Sequence, residues 1–383
     1  MPPPAFRKGR GTATNRAERF RDWTREALIA PVTQHELDQD QDLPPLRTEV
    51  RMVDARSILS RNQSPDVPFD QSINPYQGCE HGCVYCYARP SHAFLDLSPG
   101  LDFETRIFAK RNAATLLRAE LARPGYVPRL IALGANTDPY QPLERRLGLT
   151  RAVLEVLAEC RHPVGITTKS ALVERDLDLL VPMAAQGLVR VFLSVGTLQP
   201  ALARILEPRA TAPARRIEAV RRLTAAGVPA GVIVAPLIPA INDDEIEQVL
   251  AAAAGAGACS AHYVLLRLPL EVRALFQEWL QQHYPLRAAH VMSLIRQMRG
   301  GRDNDARFGH RMHGDGELAT LIAQRFRLAA RRLGLDAVRP EVDSSRFCAP
   351  APPARASRRR AAGADAGTAE GKACAAAAQR TLF

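Results

Sequence analysis

The stretch Cys79-Glu80-His81-Gly82-Cys83-Val84-Tyr85-Cys86-Tyr87 decides how the rest of this 383-residue chain is read. Its three cysteines have three residues and then two between them. Three is an odd number and the loop is tight, so a disulfide framework is excluded. Thiolates this close suit a soft metal centre. Iron–sulfur cubes normally take one cysteine per iron. Three cysteines leave one iron without a protein ligand, open to a cofactor or substrate, whereas a fully ligated cluster mostly passes electrons. The competing reading is a zinc knuckle, which needs a fourth Cys or His; His81 and His92 are both near enough in sequence to serve.

Outward from the loop, short apolar runs alternate with amphipathic stretches of helical spacing. Residues 72–76 read as a strand leading into the cysteines, with Gly78 and Gly82 permitting a tight turn. Further strands are expected at 129–135, 164–168, 189–195, 230–235 and 262–266, with helices at 149–160, 175–184, 214–226 and 243–254. This order argues for a parallel sheet wrapped by helices. A closed eight-stranded barrel would need two more strands than the six counted. The fold class is therefore α/β, a partial (β/α)6 TIM-like barrel. Helices at 271–283, 288–298 and 317–333 follow. The expected domains are a disordered N-terminal segment (1–47), a barrel core (48–270) that begins with an extended lead-in, a helical extension (271–348) and a disordered tail (349–383) rich in Ala, Pro and Arg.

The chain is 46% hydrophobic, enough for a sizeable core, but no apolar run approaches the length of a membrane span. Met1-Pro2-Pro3-Pro4 is not followed by a signal-type apolar segment, so a cytoplasmic setting is expected. A reducing compartment would keep the seven cysteines free, and Cys160, Cys259, Cys348 and Cys374 are scattered. The net charge of +11 attracts nucleic acid. It equally suits a merely solvated surface, because much of it lies in Arg-rich terminal segments.

In such a barrel the loops after the strands build the site. They carry Asn136, Asp138 and Glu144; Thr167, Thr168 and Lys169; Ser194; Asn242; and Arg267. Polar groups on one rim suit a zwitterionic ligand. The plainer reading of Asn136 and Asp138 is turn hydrogen bonding, and residues 236–239 read as a structural turn.

Five pieces carry a resemblance: SINPYQGCEHGCVYCYARP (72–90), LGANTDPYQPLE (133–144), TTKS (167–170), LEPRA (206–210) and VIVAPLIPAIND (232–243). From about Thr48 to Leu335 the chain resembles the radical S-adenosylmethionine (radical SAM) proteins. The branch is the uncharacterised one grouped with spore photoproduct lyase and labelled DNA repair photolyase. The resemblance implies that Cys79, Cys83 and Cys86 bind three irons of a [4Fe–4S] cluster and that S-adenosylmethionine chelates the fourth. Tyr85 would lie against the adenine, Asn136 and Asp138 near the methionine amino group, and Ser194 near the ribose or carboxylate. Residues 233–235 would pack on the adenine. Reductive cleavage would give a 5′-deoxyadenosyl radical that takes hydrogen from an unidentified substrate, with DNA or RNA the candidate. An external donor of flavodoxin or ferredoxin type would supply the electron.

The lyase uses a further cysteine as hydrogen donor, and Cys160, Cys259 and Cys348 lie in no matching motif. Photoproduct repair is therefore not carried over, although Cys348 could fold back over the barrel mouth. The alternative function is a non-catalytic nucleic-acid-binding protein with structural zinc or iron–sulfur. At the end of the chain, Gln379, Leu382 and Phe383 resemble the peptide with which bacterial repair proteins grip the sliding clamp.

Overall fold

Six apolar runs become the parallel strands of one sheet. The computed structural model describes residues 9–16, 19–20, 46–336 and 342–351. Its strands are β1 (Glu49–Val53), β2 (Leu59–Arg61), β3 (Gln71–Ile73), β4 (Tyr76–Gln77), β5 (Arg106–Lys110), β6 (Ile131–Leu133), β7 (Val164–Thr168), β8 (Val189–Ser194), β9 (Ala230–Leu237) and β10 (Ala261–Leu265). Parallel neighbours run β10-β9-β8-β7-β6-β3, and β2 pairs antiparallel with β3 at the edge. The helices Leu149–Glu159, Leu177–Ala184, Pro213–Ala225 and Ile246–Gly255 alternate with β6 to β10. Buried Ile73, Leu133, Ile166, Val191 and Val232 from the strands pack with Leu154, Leu157, Val220, Leu223 and Leu250 from the helices. This is the expected partial barrel of six parallel strands. β8 is buried along its whole length, as a strand covered on both faces should be.

The expected first strand, 72–76, divides in two. β3 ends at Ile73, and Tyr76–Gln77 joins a different sheet, ordered β1-β5-β4. Pro75 cannot donate to a ladder, so the chain changes partners there; its carbonyl accepts from Lys110 N at 3.0 Å. The stretch read as an extended lead-in thus supplies two strands, β1 and β2, and β1 pairs in parallel with β5 over Glu49–Val53.

The segment expected to lack structure contributes residues 9–16 to the folded body. Arg10 and Thr12 are buried there. Arg10 Nη1 donates to the Glu104 carbonyl at 2.8 Å, an interaction no local pattern announces. After β10 come the helices Val272–His283, Ala288–Gln297 and Gly316–Arg332. The first two pack behind the cysteine loop. Cys83, Val84 and Tyr85 share a cluster with Val272, Phe276, Trp279 and Val291, and Trp279 Nε1 donates to Ile205 O at 2.9 Å.

Residues 342–351 form a strap across the amino-terminal end of the barrel. Asp343 N donates to Gly187 O and Cys348 N to Cys160 O, each at 2.9 Å. Phe347 packs against Tyr126 and His162. Gly187 and Cys160 precede β8 and β7, so Cys348 lies at the end opposite the cysteine loop and does not cover the mouth. Among the described residues no helix is long and apolar enough to cross a membrane. Gln379, Leu382 and Phe383 lie outside the described residues.

Candidate active site

The cysteine loop joins β4 to a 3-10 turn at Arg89–Leu95, on the carboxyl side of the first barrel strand. Its backbone is held from several sides. Cys79 N donates to Phe103 O at 2.9 Å, Val84 N to Leu206 O at 3.1 Å, and Arg209 N to His81 O at 3.2 Å. Arg89, fully buried, threads the loop: Nε reaches Cys83 O at 2.8 Å and Nη2 reaches Gly82 O at 3.2 Å. Its remaining donors go to Pro99 O, Gly100 O and Glu104 Oε1. Glu104 also accepts from Gly11 N and Thr12 Oγ1, each at 2.9 Å. Gly82 has φ +68°, and a Cβ there would stand 2.8 Å from Glu104 Oε2. Only glycine satisfies both constraints.

The thiols of Cys79 and Cys83 are buried, that of Cys86 is half-buried, and all three are free. Burial pushes all three above the ordinary thiol pKa. Such thiols stay neutral until a soft cation takes the proton's place. Neither neighbouring histidine completes a zinc set. His92 packs edge-on against Phe103 and Phe108, and its Nε2 lies 3.0 Å from Arg106 O. Burial lowers its pKa to about 4, marking a neutral core histidine. His81 Nδ1 lies 3.3 Å from Asp138 Oδ2, within ion-pair reach but off the line of a hydrogen bond. Among the described residues no three His, Cys, Asp or Glu side chains converge as they would on a single metal ion.

The run from Asp138 to Glu144 serves as wiring. Asp138 accepts from Thr168 Oγ1 and Lys169 N, each at 2.7 Å, and from Tyr140 N at 2.9 Å. Burial opposes its ionisation, but His81 and these donors outweigh it and hold the carboxyl down to about 2. Tyr140 Oη reaches Asp176 at 3.0 Å. Gln141 accepts from Glu80 N at 2.9 Å and donates to Gly78 O at 3.2 Å, bracing the cysteine loop. Glu144 receives the Tyr76 hydroxyl, Thr150 N and Arg175. The Asn136 side chain has no hydrogen-bond partner among the described residues; its backbone N donates to Asn74 Oδ1 at 3.1 Å.

Tyr85 is buried, and its hydroxyl donates to Glu207. Glu207 also pairs with Arg216, whose Nη1 reaches Ser194 O at 2.7 Å. Burial works against the Glu207 carboxylate, yet Arg216 and Lys169 hold its pKa below the usual value. The Ser194 hydroxyl donates to Ala235 O at 3.1 Å, tying β8 to β9. Lys169 Nζ sits 5.8 Å from the Tyr85 ring centroid. Asn242 bridges Gly196 O, Pro236 O and Ile238 N, so 236–239 is the structural turn expected. Asp138 and Ser194 are thus bonded internally, while the half-buried side chains of Asn136 and Lys169 make no hydrogen bond to the described residues. Sequence reading passed over Arg89, Gln141, Glu207 and Arg209 as supports, although all four lie inside the quoted motifs. Glu104 and Arg10 have no motif, because their partners are remote in sequence.

The model of the radical SAM superfamily matches residues 73–253. An uncharacterised protein of Mycobacterium tuberculosis strain H37Rv is 38% identical over 232 residues, 60% of this chain and 68% of the relative. An uncharacterised protein of Methanocaldococcus jannaschii is 25% identical over 239 residues, 62% of this chain and 85% of its own. Among solved structures, spore photoproduct lyase complexed with dinucleoside spore photoproduct superposes with a TM-score of 0.52 at 15% identity, covering 74% of this chain and 79% of that one. At that identity the likeness speaks for the fold.

Proposed function

The chain belongs to the radical SAM superfamily, and on that premise we propose that Cys79, Cys83 and Cys86 hold three irons of its [4Fe–4S] cluster, with S-adenosylmethionine in the barrel mouth. Enzymes of the superfamily use these two cofactors. The observation that carries the assignment is three free thiols on a loop whose backbone is fixed by three separate segments: 99–104, 206–209 and Gln141. The donor set fits a soft, multi-iron group, and neither His81 nor His92 offers the fourth ligand of a zinc knuckle. When bound, the reduced cluster would supply one electron for the reductive cleavage of S-adenosylmethionine, the chemistry by which hydrogen would be taken from a substrate.

The chain's own residues bind, orient and exclude water. Asn136 offers an amide oxygen to the ammonium of the methionine moiety, and Lys169 offers positive charge to its carboxylate. Asp138 acts through Lys169, fixing its backbone N together with the Thr168 hydroxyl. The Tyr85 hydroxyl is committed to Glu207, which leaves the ring to pack on the adenine. Ser194 holds the β8–β9 rim and keeps a lone pair free for a ribose hydroxyl. The substrate in this reading is nucleic acid and the reaction repair-like and lyase-like. Support comes from the +11 charge and from the dinucleoside ligand of the structural neighbour. A flavodoxin or ferredoxin would deliver the electron, in a cytoplasmic setting that keeps the thiols reduced.

The test is anaerobic reconstitution. We expect about four irons and matching sulfide per chain, and 5′-deoxyadenosine on reduction with S-adenosylmethionine. Cys83→Ala should lose both. Zinc without sulfide in the purified protein would replace this reading with the non-catalytic one.

A further inference from the structure

The barrel mouth carries a second cluster that the cysteine chemistry does not use. Arg267 follows β10, and its guanidinium carbon lies 5.2 Å from the ring centroid of Tyr87, the residue after Cys86. Tyr87 is 40% exposed, and its hydroxyl is anchored on Ala135 O, in the loop after β6. Two more arginines belong to this group. Arg299 is buried and spends its donors on the carbonyls of Leu265, Leu266, His310 and Arg311. Arg311 is bound to Asp66 and Ser64.

Both of those are committed, and Arg267 is not. Its one polar contact among the described residues is Met312 Sδ at 3.9 Å. Burial lowers its pKa from the ordinary arginine value and Arg311 acts in the same direction, while Tyr87 and the more distant Asp66 carboxylate act against them. A half-buried cation whose nearest carboxylate is already bound to another arginine gains from an anion that joins it. Arg311 in turn lies 4.7 Å from the ring centroid of Phe308, which is 52% exposed. This cluster therefore offers two exposed aromatic rings, each paired with a guanidinium. An acidic peptide would use only the charge. A nucleotide uses both, because every base has a face to stack and every link carries one negative charge.

We propose that Tyr87, Arg267, Phe308 and Arg311 form a subsite for one unstacked nucleotide of a single strand, with Arg267 on the phosphodiester and Phe308 stacked on a base. The subsite rests on the reading of the cysteine loop as the reacting centre, and it supplies that reading with a substrate class. Arg311 positions Phe308 through its anchorage to Asp66. A duplex would be received poorly, since its bases present no free face.

The test is equilibrium binding of a short fluorescent oligothymidylate to anaerobically reconstituted protein over a range of salt. Arg267→Gln and Phe308→Ala should each weaken binding about tenfold, and Arg267→Gln should lower the salt slope by about one. Arg118→Gln makes the same charge change on a surface helix where Arg118 pairs with Glu159, and should shift affinity by less than about twofold. Thermal midpoints report folding. Should Arg267→Gln fail to fold, Arg267→Lys, which keeps the charge and loses the fork, carries the test with Phe308→Ala. Unchanged affinity in the folded variants overturns the proposal. So does an equal loss in Arg118→Gln, or displacement of the strand by polyglutamate as readily as by unlabelled oligonucleotide. Cleavage of S-adenosylmethionine is read on the same preparation without nucleic acid. Its absence with strand binding intact counts against the cysteine-loop reading alone, whereas a parent protein that cleaves S-adenosylmethionine and does not bind the strand counts against the subsite alone.

Discussion

His162 shows what one buried side chain does to the pH response of the fold. It is fully buried, with Nδ1 3.0 Å from Pro163 O and Nε2 2.8 Å from the Tyr126 hydroxyl. Desolvation lowers its pKa from 6.5 to about 4. The unfolded chain therefore takes up the proton first as pH falls. The stability linked to His162 is complete above about pH 6.5 and is lost between there and about pH 4, a change of ~3 kcal/mol. In urea melts across that window, His162→Gln should show a shallower acid loss than the parent; identical slopes would reject the assignment. Asp138 is the other residue on which a local prediction turns. Its carboxylate accepts from Thr168, Lys169 N and Tyr140 N, and an amide of the same shape presents N–H where one of those donors points. Asp138→Asn should cost about 1–3 kcal/mol of unfolding free energy in urea melts and weaken binding of S-adenosylmethionine. A stability unchanged within error would mean that the clamp is not made in solution.

Elements succeed or fail in a sequence reading according to how local their causes are. β7 to β10 announce themselves because a buried parallel strand is a short apolar run between helices of the right length. β3 and β4 do not separate on inspection: the division at Asn74-Pro75 is a choice of partners, and the partner of β4 is β5, some thirty residues on. β5 does not announce itself, since Arg106–Lys110 is only five residues long and carries a charge at each end. The cysteine motif was legible as chemistry. Its fastening was not, because Arg89 answers to Glu104 and Glu104 to residues 11 and 12. That fastening makes a prediction for the segment 9–16 as a unit. A Cβ on Gly11 would stand 1.7 Å from the Gly82 carbonyl oxygen, so Gly11→Ala must push the segment off the cysteine loop. The displaced segment should become sensitive to protease, and Arg89–Glu104 should lose two of the donors that share its carboxylate. Retained protection from protease at wild-type level would show that the segment docks otherwise.

At the scale of the whole molecule, the barrel sheet has ends. β2 and β10 sit at opposite edges, and the β10 edge is backed by the extension that carries Arg299, Phe308 and Arg311. An arc of six parallel strands leaves one flank without a strand, and side chains latch it: Gly309 N and Arg311, beside the end of β10, bind Asp66 and Ser64 in the connection before β3. The sheet therefore closes on an ion pair where a full barrel would close on further strands. Asp66→Ala should open that seam: the connection 62–70 should become sensitive to protease, and protection at the wild-type level would mean that the flank is held otherwise.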